Sequence, residues 1–250
     1  MSLSAPQDGY RAAFVGLGQM GRWMCKNLCD RGVSVTAYDG NPDALDIVKA
    51  YGAVAAPTLS SAAVDCDFLF LCLPNASIVK KVLFGQEGIL EAAAKGLLVV
   101  DCGTSAHADT LCIHESVKEK GARFMDAPMS GMEARARDGT LTFMCGGDNE
   151  DFDRVSPMLK KMGKTVVHVG DVGSGQLMKM VNNCIFNANI AVLAEMLPFA
   201  ASLGLRGDAV SEVISASSGQ SFAATAFIPN ILERNFQKGY PMESAQKDLL

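Results

Sequence analysis

Lys179 and Asn183 stand four residues apart in a stretch that is otherwise mostly apolar, Met178 to Phe186. In a helix that spacing puts an amine and an amide on one face, with Asn187 continuing the line and Asn182 flanking it. A polar stripe on an apolar helix is costly to bury unless something satisfies it. Helix packing can satisfy it, the amides bonding to neighbouring helices and the lysine reaching solvent. A cleft is the alternative. There the amine can serve as general acid/base on a hydroxyl or carbonyl, because partial burial brings a lysine towards the working pH. Asn183 can hold the same oxygen or a substrate carboxylate.

A second constellation favours the cleft. Gly16-Leu17-Gly18-Gln19-Met20-Gly21 follows an apolar strand pattern and opens a helical one. Gly16 permits a tight turn, Gly18 removes a side chain where a pyrophosphate approaches the backbone, and Gly21 lets the helix pack against the sheet. The unpaired N–H groups and partial positive charge of the helix start then face the phosphates. The glycines alone could be just a turn. Their place in a β-α-β unit of the right size reads as dinucleotide binding. The next strand ends at Asp39, where a carboxylate would hold a ribose 2′-hydroxyl and repel a 2′-phosphate. No Arg or Lys follows in Gly40–Asp46, so the cofactor expected is NAD rather than NADP.

These groups need a frame. Arg11–Val15, Val33–Tyr38, Phe68–Leu73, Leu97–Asp101 and Arg123–Asp126 read as short buried strands between the helical patterns Gln19–Arg31, Pro42–Tyr51, Ile78–Phe84 and Ala108–Lys120. That alternation predicts an α/β Rossmann domain with a parallel sheet covered on both faces. Leu141–Cys145 and Thr165–His168 extend the sheet, with the helix Glu150–Lys161 between them. Near Asp171 the pattern changes. From Gln176 to about Leu203 the chain is apolar almost all round, the pattern of a helix surrounded by protein, and helices follow at Arg206–Ser215 and Ala223–Glu233. The expected division is a cofactor domain, residues 1–170, and an all-α substrate and dimerisation domain, residues 171–250. The closing Lys247-Asp248-Leu249-Leu250 lies inside a helical pattern without a stop signal, which reads as a truncated domain. Turn signals at Leu73-Pro74, Thr104 and Ser130-Gly131 fall at carboxyl ends of strands, where open α/β sheets bind ligands.

Composition narrows the class. Apolar residues make up 49% and charged residues 20% of the 250 residues, with a net charge of −5 and no basic run, which argues against nucleic acid as a partner. No run of 18 or more uninterrupted apolar residues occurs, so no membrane partner is expected. Eight cysteines without a signal pattern read as reduced thiols of a cytoplasmic protein, and no zinc spacing is present, so no metal is expected.

Together these motifs resemble the β-hydroxyacid dehydrogenase family, which includes 3-hydroxyisobutyrate dehydrogenase, tartronate semialdehyde reductase and, more distantly, 6-phosphogluconate dehydrogenase. Gly16–Gly21 is similar to its GLGxMG cofactor motif. Asp126-Ala127-Pro128-Met129-Ser130-Gly131 is similar to its DxPVSGG substrate loop. Gly173–Asn183 is similar to its GxGxxxKxxxN segment, and Lys247-Asp248-Leu249 to its KDL element. The resemblance implies that Lys179 is the catalytic acid/base and that Ser130, Gly131 and Asn183 hold the substrate. It places Leu73, Pro74, Thr104 and Lys247 near the cofactor. It also implies a homodimer or homotetramer built through the helical domain. One departure bears on substrate choice. Met132 replaces the second glycine of the substrate loop, where its thioether should reshape the pocket. Arg135 or Arg137 beyond it is a candidate for an acidic substrate group, against the plainer reading of solvated surface positions.

The function expected is hydride transfer between NAD and a small β-hydroxyacid, or reduction of the corresponding semialdehyde. The alternatives are an NADPH-dependent semialdehyde reductase and a non-catalytic nucleotide-binding module on the same fold.

Overall fold

The computed structural model describes residues 9–92, 96–236 and 246. The chain divides into two compact units, Met1–Lys179 and Met180–Leu250. The first runs β1 (Arg11–Val15), α1 (Gly21–Asp30), β2 (Ser34–Tyr38), α2 (Pro42–Lys49), β3 (Val54–Ala55), β4 (Phe68–Leu71), α3 (Ala76–Phe84), α4 (Ile89–Ala92), β5 (Leu98–Asp101), α5 (His107–Glu119) and β6 (Arg123–Asp126). Then come β7 (Met129–Ser130), α6 (Met132–Asp138), β8 (Leu141–Gly146), α7 (Asn149–Leu159) and β9 (Gly163–Gly170).

The sheet order is β3-β2-β1-β4-β5-β6-β8-β7, with β9 paired to β8. Every pair from β3 to β6 is parallel. β8, however, is antiparallel to β6 and β7, and parallel to β9. The sheet is parallel-dominated, as expected from sequence, with β8 the departure. A parallel neighbour needs a crossover of about a dozen residues or more, and the segment 131–140 between β7 and β8 is shorter, so the chain turns back and pairs Ser130 with Thr142.

Side chains alternate between the two faces of the sheet. On β1, Ala12 and Phe14 join Met24, Leu28, Phe68 and Phe70 on the α1 side. Ala13 and Val15 join Leu69, Val79, Leu83, Ile113 and Val117 on the α3 and α5 side. Both faces are covered, which is why the strands read as unbroken apolar runs. Helix starts follow local chemistry. Asn41 accepts the Asp43 N–H at 3.0 Å ahead of Pro42, and Asn75 accepts the Ile78 N–H at 3.0 Å.

α8 (Ser174–Ser202) carries the chain from the first unit into the second, where α9 (Gly207–Ala216) and α10 (Phe222–Leu232) follow. In the second unit Phe186, Ile190, Leu193 and Leu197 of α8 pack with Ala223, Ala224, Phe227 and Ile228 of α10. The remaining apolar side chains of α8 are not surrounded by the described residues, contrary to the sequence expectation. Met180, Val181, Ile185, Val192, Met196 and Phe199 are exposed. The helix is apolar on all sides, and one packing stripe can cover only one of them. By length and hydropathy alone α8 also meets the criterion for a membrane-crossing helix, which the uninterrupted-run test misses because Lys179 and the asparagines break the run. Core helices of globular proteins meet the same criterion.

Candidate active site

The carboxyl ends of β1, β4, β5 and β6 form a continuous backbone ledge. Gly16 donates its N–H to Tyr38 at 3.1 Å, Cys72 to Val15 at 2.9 Å, Cys102 to Leu71 at 2.8 Å and Ala127 to Asp101 at 2.7 Å, each bond carrying the ladder past the strand end. Gly16–Gly21, Leu73-Pro74 and Thr104 all emerge from this ledge, as the turn signals anticipated.

The glycine turn fits a dinucleotide. A Cβ on Gly21 would stand 1.9 Å from the Gly16 carbonyl oxygen, so only glycine permits this closeness, whereas a Cβ on Gly18 would meet no protein atom within 4 Å. α1 starts at Gly21 with no side chain capping it and no acid in its first turn. The Arg22 and Trp23 N–H groups are taken by the Gly18 and Met20 carbonyls, so an anion would meet the backbone of the turn ahead of them and the partial positive charge of the helix start. Asp39, half-buried at the end of β2, accepts the Leu17 N–H at 2.6 Å and the Asn41 N–H at 2.8 Å. These bonds fix its carboxylate against the turn.

Lys179 belongs to the first unit, and what fixes its helix is Asp126. The Asp126 carboxylate accepts the Gly173 N–H at 2.6 Å and the Gln176 N–H at 2.9 Å, satisfying donors at the start of α8. Gln176 extends the hold to the turn that follows β5, donating its side-chain amide to the Gly103 carbonyl at 2.9 Å and accepting the Ser105 N–H at 3.2 Å. Lys179 follows one turn later and is half-buried. Burial pushes Asp126 up to about 6 despite those N–H bonds, with His107 drawing it back. Asp101, paired with Asp126 in the sheet register, is also raised to about 6, by burial and then by the neighbouring Asp126 charge. Sequence reading took Asp126 only as the first letter of a loop motif. Its role as anchor of α8, and the bridging role of Gln176, depend on long-range contacts that no local pattern reports.

Ser130 ends β7 and Gly131 leads into α6, and the backbone is strained at that entry. Gly131 has φ 144° and Met132 φ 58°, the left-handed region that side-chain-bearing residues avoid. The Met132 side chain is exposed. An open pocket of about 440 Å³ beside Thr142, the partner of Ser130, is lined by Arg135, Thr140, Thr142, Lys164 and Thr165. Arg137 instead pairs at the surface with Asp138 at 3.5 Å. Asn183 lies in the second unit, buried, and its side-chain oxygen accepts an N–H of Asn182 at 3.3 Å. Asn187 is different: its Nδ2 is buried with no hydrogen-bond partner among the described residues. Lys247 lies outside the described residues.

A ledge of parallel strand ends, a glycine turn opening a helix and an acid closing the next strand define a dinucleotide-binding oxidoreductase fold. Residues 11–170 match the NAD binding domain of 6-phosphogluconate dehydrogenase, and residues 173–250 match the family described as NAD-binding of NADP-dependent 3-hydroxyisobutyrate dehydrogenase. The chain is 38% identical over 244 residues to 2-(hydroxymethyl)glutarate dehydrogenase of Eubacterium barkeri, covering 97% of this chain and 81% of that protein. It is 33% identical to an NAD-dependent L-serine dehydrogenase of Pseudomonas aeruginosa, covering 95% and 82%. The fold matches Mycobacterium tuberculosis 3-hydroxyisobutyrate dehydrogenase solved with L-serine, with a TM-score of 0.87, 29% identity, and coverage of 96% of this chain and 84% of that one. The chain belongs to the β-hydroxyacid dehydrogenase family, and its first unit is an NAD(P)-binding domain.

Proposed function

We propose that the protein is an NAD-dependent dehydrogenase of small β-hydroxyacids that also reduces the corresponding semialdehydes, with Lys179 as its general acid/base. One observation carries this reading. The first turn of the lysine helix is hydrogen-bonded, through Asp126 and Gln176, to the strand ends from which the cofactor-side residues emerge.

NAD, when bound, supplies the hydride acceptor. Gly16–Gly21 and the start of α1 hold its pyrophosphate, Asp39 its adenosine ribose, and Leu73, Pro74, Thr104 and Lys247 lie along it. Ser130, Gly131 and Asn183 hold the substrate carboxylate beside Met132. The Lys179 amine takes the hydroxyl proton as the carbon gives up its hydride, which leaves a carbonyl; in the reverse direction the lysine ammonium returns that proton. The Asp39 carboxylate supports NAD over NADP by repelling a 2′-phosphate. In this reading residues 1–170 bind cofactor, and residues 171–250 bind substrate and pair with a second copy as a homodimer or homotetramer. The exposed apolar side chains of α8 support that pairing. The reading of the eight cysteines as reduced thiols supports a cytoplasmic setting.

The test is Lys179→Ala, assayed with a panel of short hydroxyacids and semialdehydes, 2-(hydroxymethyl)glutarate and L-serine among them, with both NAD and NADP. We expect kcat to fall about 10²–10⁴-fold while NAD affinity is kept. Undiminished turnover removes Lys179 from the chemistry. NAD binding by the wild-type protein without turnover of any panel member would point to the nucleotide-binding module instead.

A further inference from the structure

The Glu133 carboxylate joins two segments far apart in sequence. It accepts hydrogen bonds from Gln19 Nε2 at 2.8 Å, Arg22 Nη2 at 2.7 Å and Trp23 Nε1 at 2.9 Å. Gln19 is inside the glycine turn, and Arg22 and Trp23 are in the first turn of α1. Glu133 itself follows Gly131 and Met132, the two consecutive positive-φ residues that open α6. The bonds from Trp23, Arg22 and Gln19 hold the Glu133 carboxyl down at about 2, so it is ionised throughout the physiological range. At its other end α6 is tied to the same helix. Asn27 Nδ2 of α1 donates to the Ala136 carbonyl at 2.8 Å and to the Arg137 carbonyl at 3.4 Å, and Arg31 steadies the Asn27 oxygen at 2.9 Å.

A methionine in the left-handed region is disfavoured because its Cβ crowds the following carbonyl oxygen, so unaided the loop relaxes towards ordinary backbone angles. α6 has only seven residues, too few to impose the geometry by its own cooperativity. The contacts with α1 must do it. We infer that Glu133 is a positioning residue: its carboxylate clamps the strained Gly131-Met132 turn to the glycine turn and α1, so that ordering of the cofactor side is transmitted to the substrate loop. This rests on the assignment of the two turns to cofactor and substrate made above.

Two measurements test it. The first uses hydrogen–deuterium exchange with NAD as the probe. In the wild-type protein NAD should slow exchange in residues 16–23 and also in residues 129–137. In Glu133→Gln the protection should stop at residues 16–23. Already without NAD, that variant should exchange several-fold faster over residues 131–137 and shift the emission of Trp23, the only tryptophan of the chain. Protection that still reaches residues 129–137 in the variant, or an unchanged exchange and emission without NAD, overturns the clamp. Absence of protection in residues 16–23 of the wild-type protein overturns instead the cofactor assignment, and the cofactor-free comparison still decides the clamp.

The second measurement is a kinetic cycle with the most active hydroxyacid of the panel. Glu133→Gln should raise the hydroxyacid KM about tenfold with kcat changed less than threefold. In the Met132→Gly background the same substitution should raise KM less than threefold, because glycine adopts the left-handed angles without help. An equal KM penalty in both backgrounds would show that Glu133 does not act through the Met132 backbone.

Discussion

Two of the glycine turns that deliver the chain from a strand end into a helix, those before α1 and α6, are built in opposite ways. In the turn before α1 the positive φ falls on Gly16, which adopts it freely. In the turn before α6 it falls on Gly131 and then on Met132, and the conformation depends on contacts reaching across more than a hundred residues to Gln19, Arg22 and Trp23. The first turn places its left-handed angle on a glycine, and the second places one on a side-chain-bearing residue and needs support for it. A supported turn can accept a side chain at a left-handed position that would otherwise favour glycine.

The largest effect should come from breaking the first turn. Gly21→Ala puts a methyl group into the Gly16 carbonyl, so we expect both a lower Tm and an NAD Kd raised at least tenfold, by calorimetry. Gly18→Ala sharpens the point, because its Cβ meets no protein atom. Tm should stay within about 2 °C, the scale of a surface substitution, while NAD affinity falls. A matching loss of Tm would mean that Gly18 serves the fold and not a ligand.

Next comes the buried acidic pair between the two turns. Asp101 and Asp126 each titrate at about 6, above the ordinary 3.8, because burial disfavours their charge. The folded state therefore binds these protons more tightly than the unfolded chain. Their contribution is favourable below about pH 4 and is lost as pH rises through 6, by about 2–3 kcal/mol per group. Asp101→Asn should be stabilising relative to wild type at pH 7, with the gain disappearing at pH 4, as read from urea unfolding at both values. A pH-independent difference would show that Asp101 titrates normally. The smallest effect is expected at the second turn. Met132→Gly relieves the left-handed backbone but adds freedom to the unfolded chain, so it should stabilise by about 0–1 kcal/mol, with a changed order of preference among panel substrates. A destabilised variant would mean that the methionine side chain, not the clamp, supports the loop.

Much of this architecture was legible in the sequence, and the reasons are physical. β1, β4 and β5 read as strands because burial on both faces leaves them apolar between Arg11, which opens β1, and Asp101, which closes β5, and the α1 turn was legible because its glycine spacing is local. β3, β7, α4 and α6 are too short to show a period. The reversal of β8 depends on the length of a connection rather than on composition. In the candidate site, residues that emerge from strand ends were found by their turns. Asp126 and Glu133 were passed over as partners because each does its work through a segment remote in the chain.

The grip of Asp126 on the first residues of α8 has a mechanical consequence. A strand end that holds two amides of a helix start sets both the origin and the rotation of that helix, and with them the direction in which a side chain one turn later departs. The ammonium of Lys179 is thereby indexed to the sheet, and bending farther along this long helix leaves its departure point where the strand has set it.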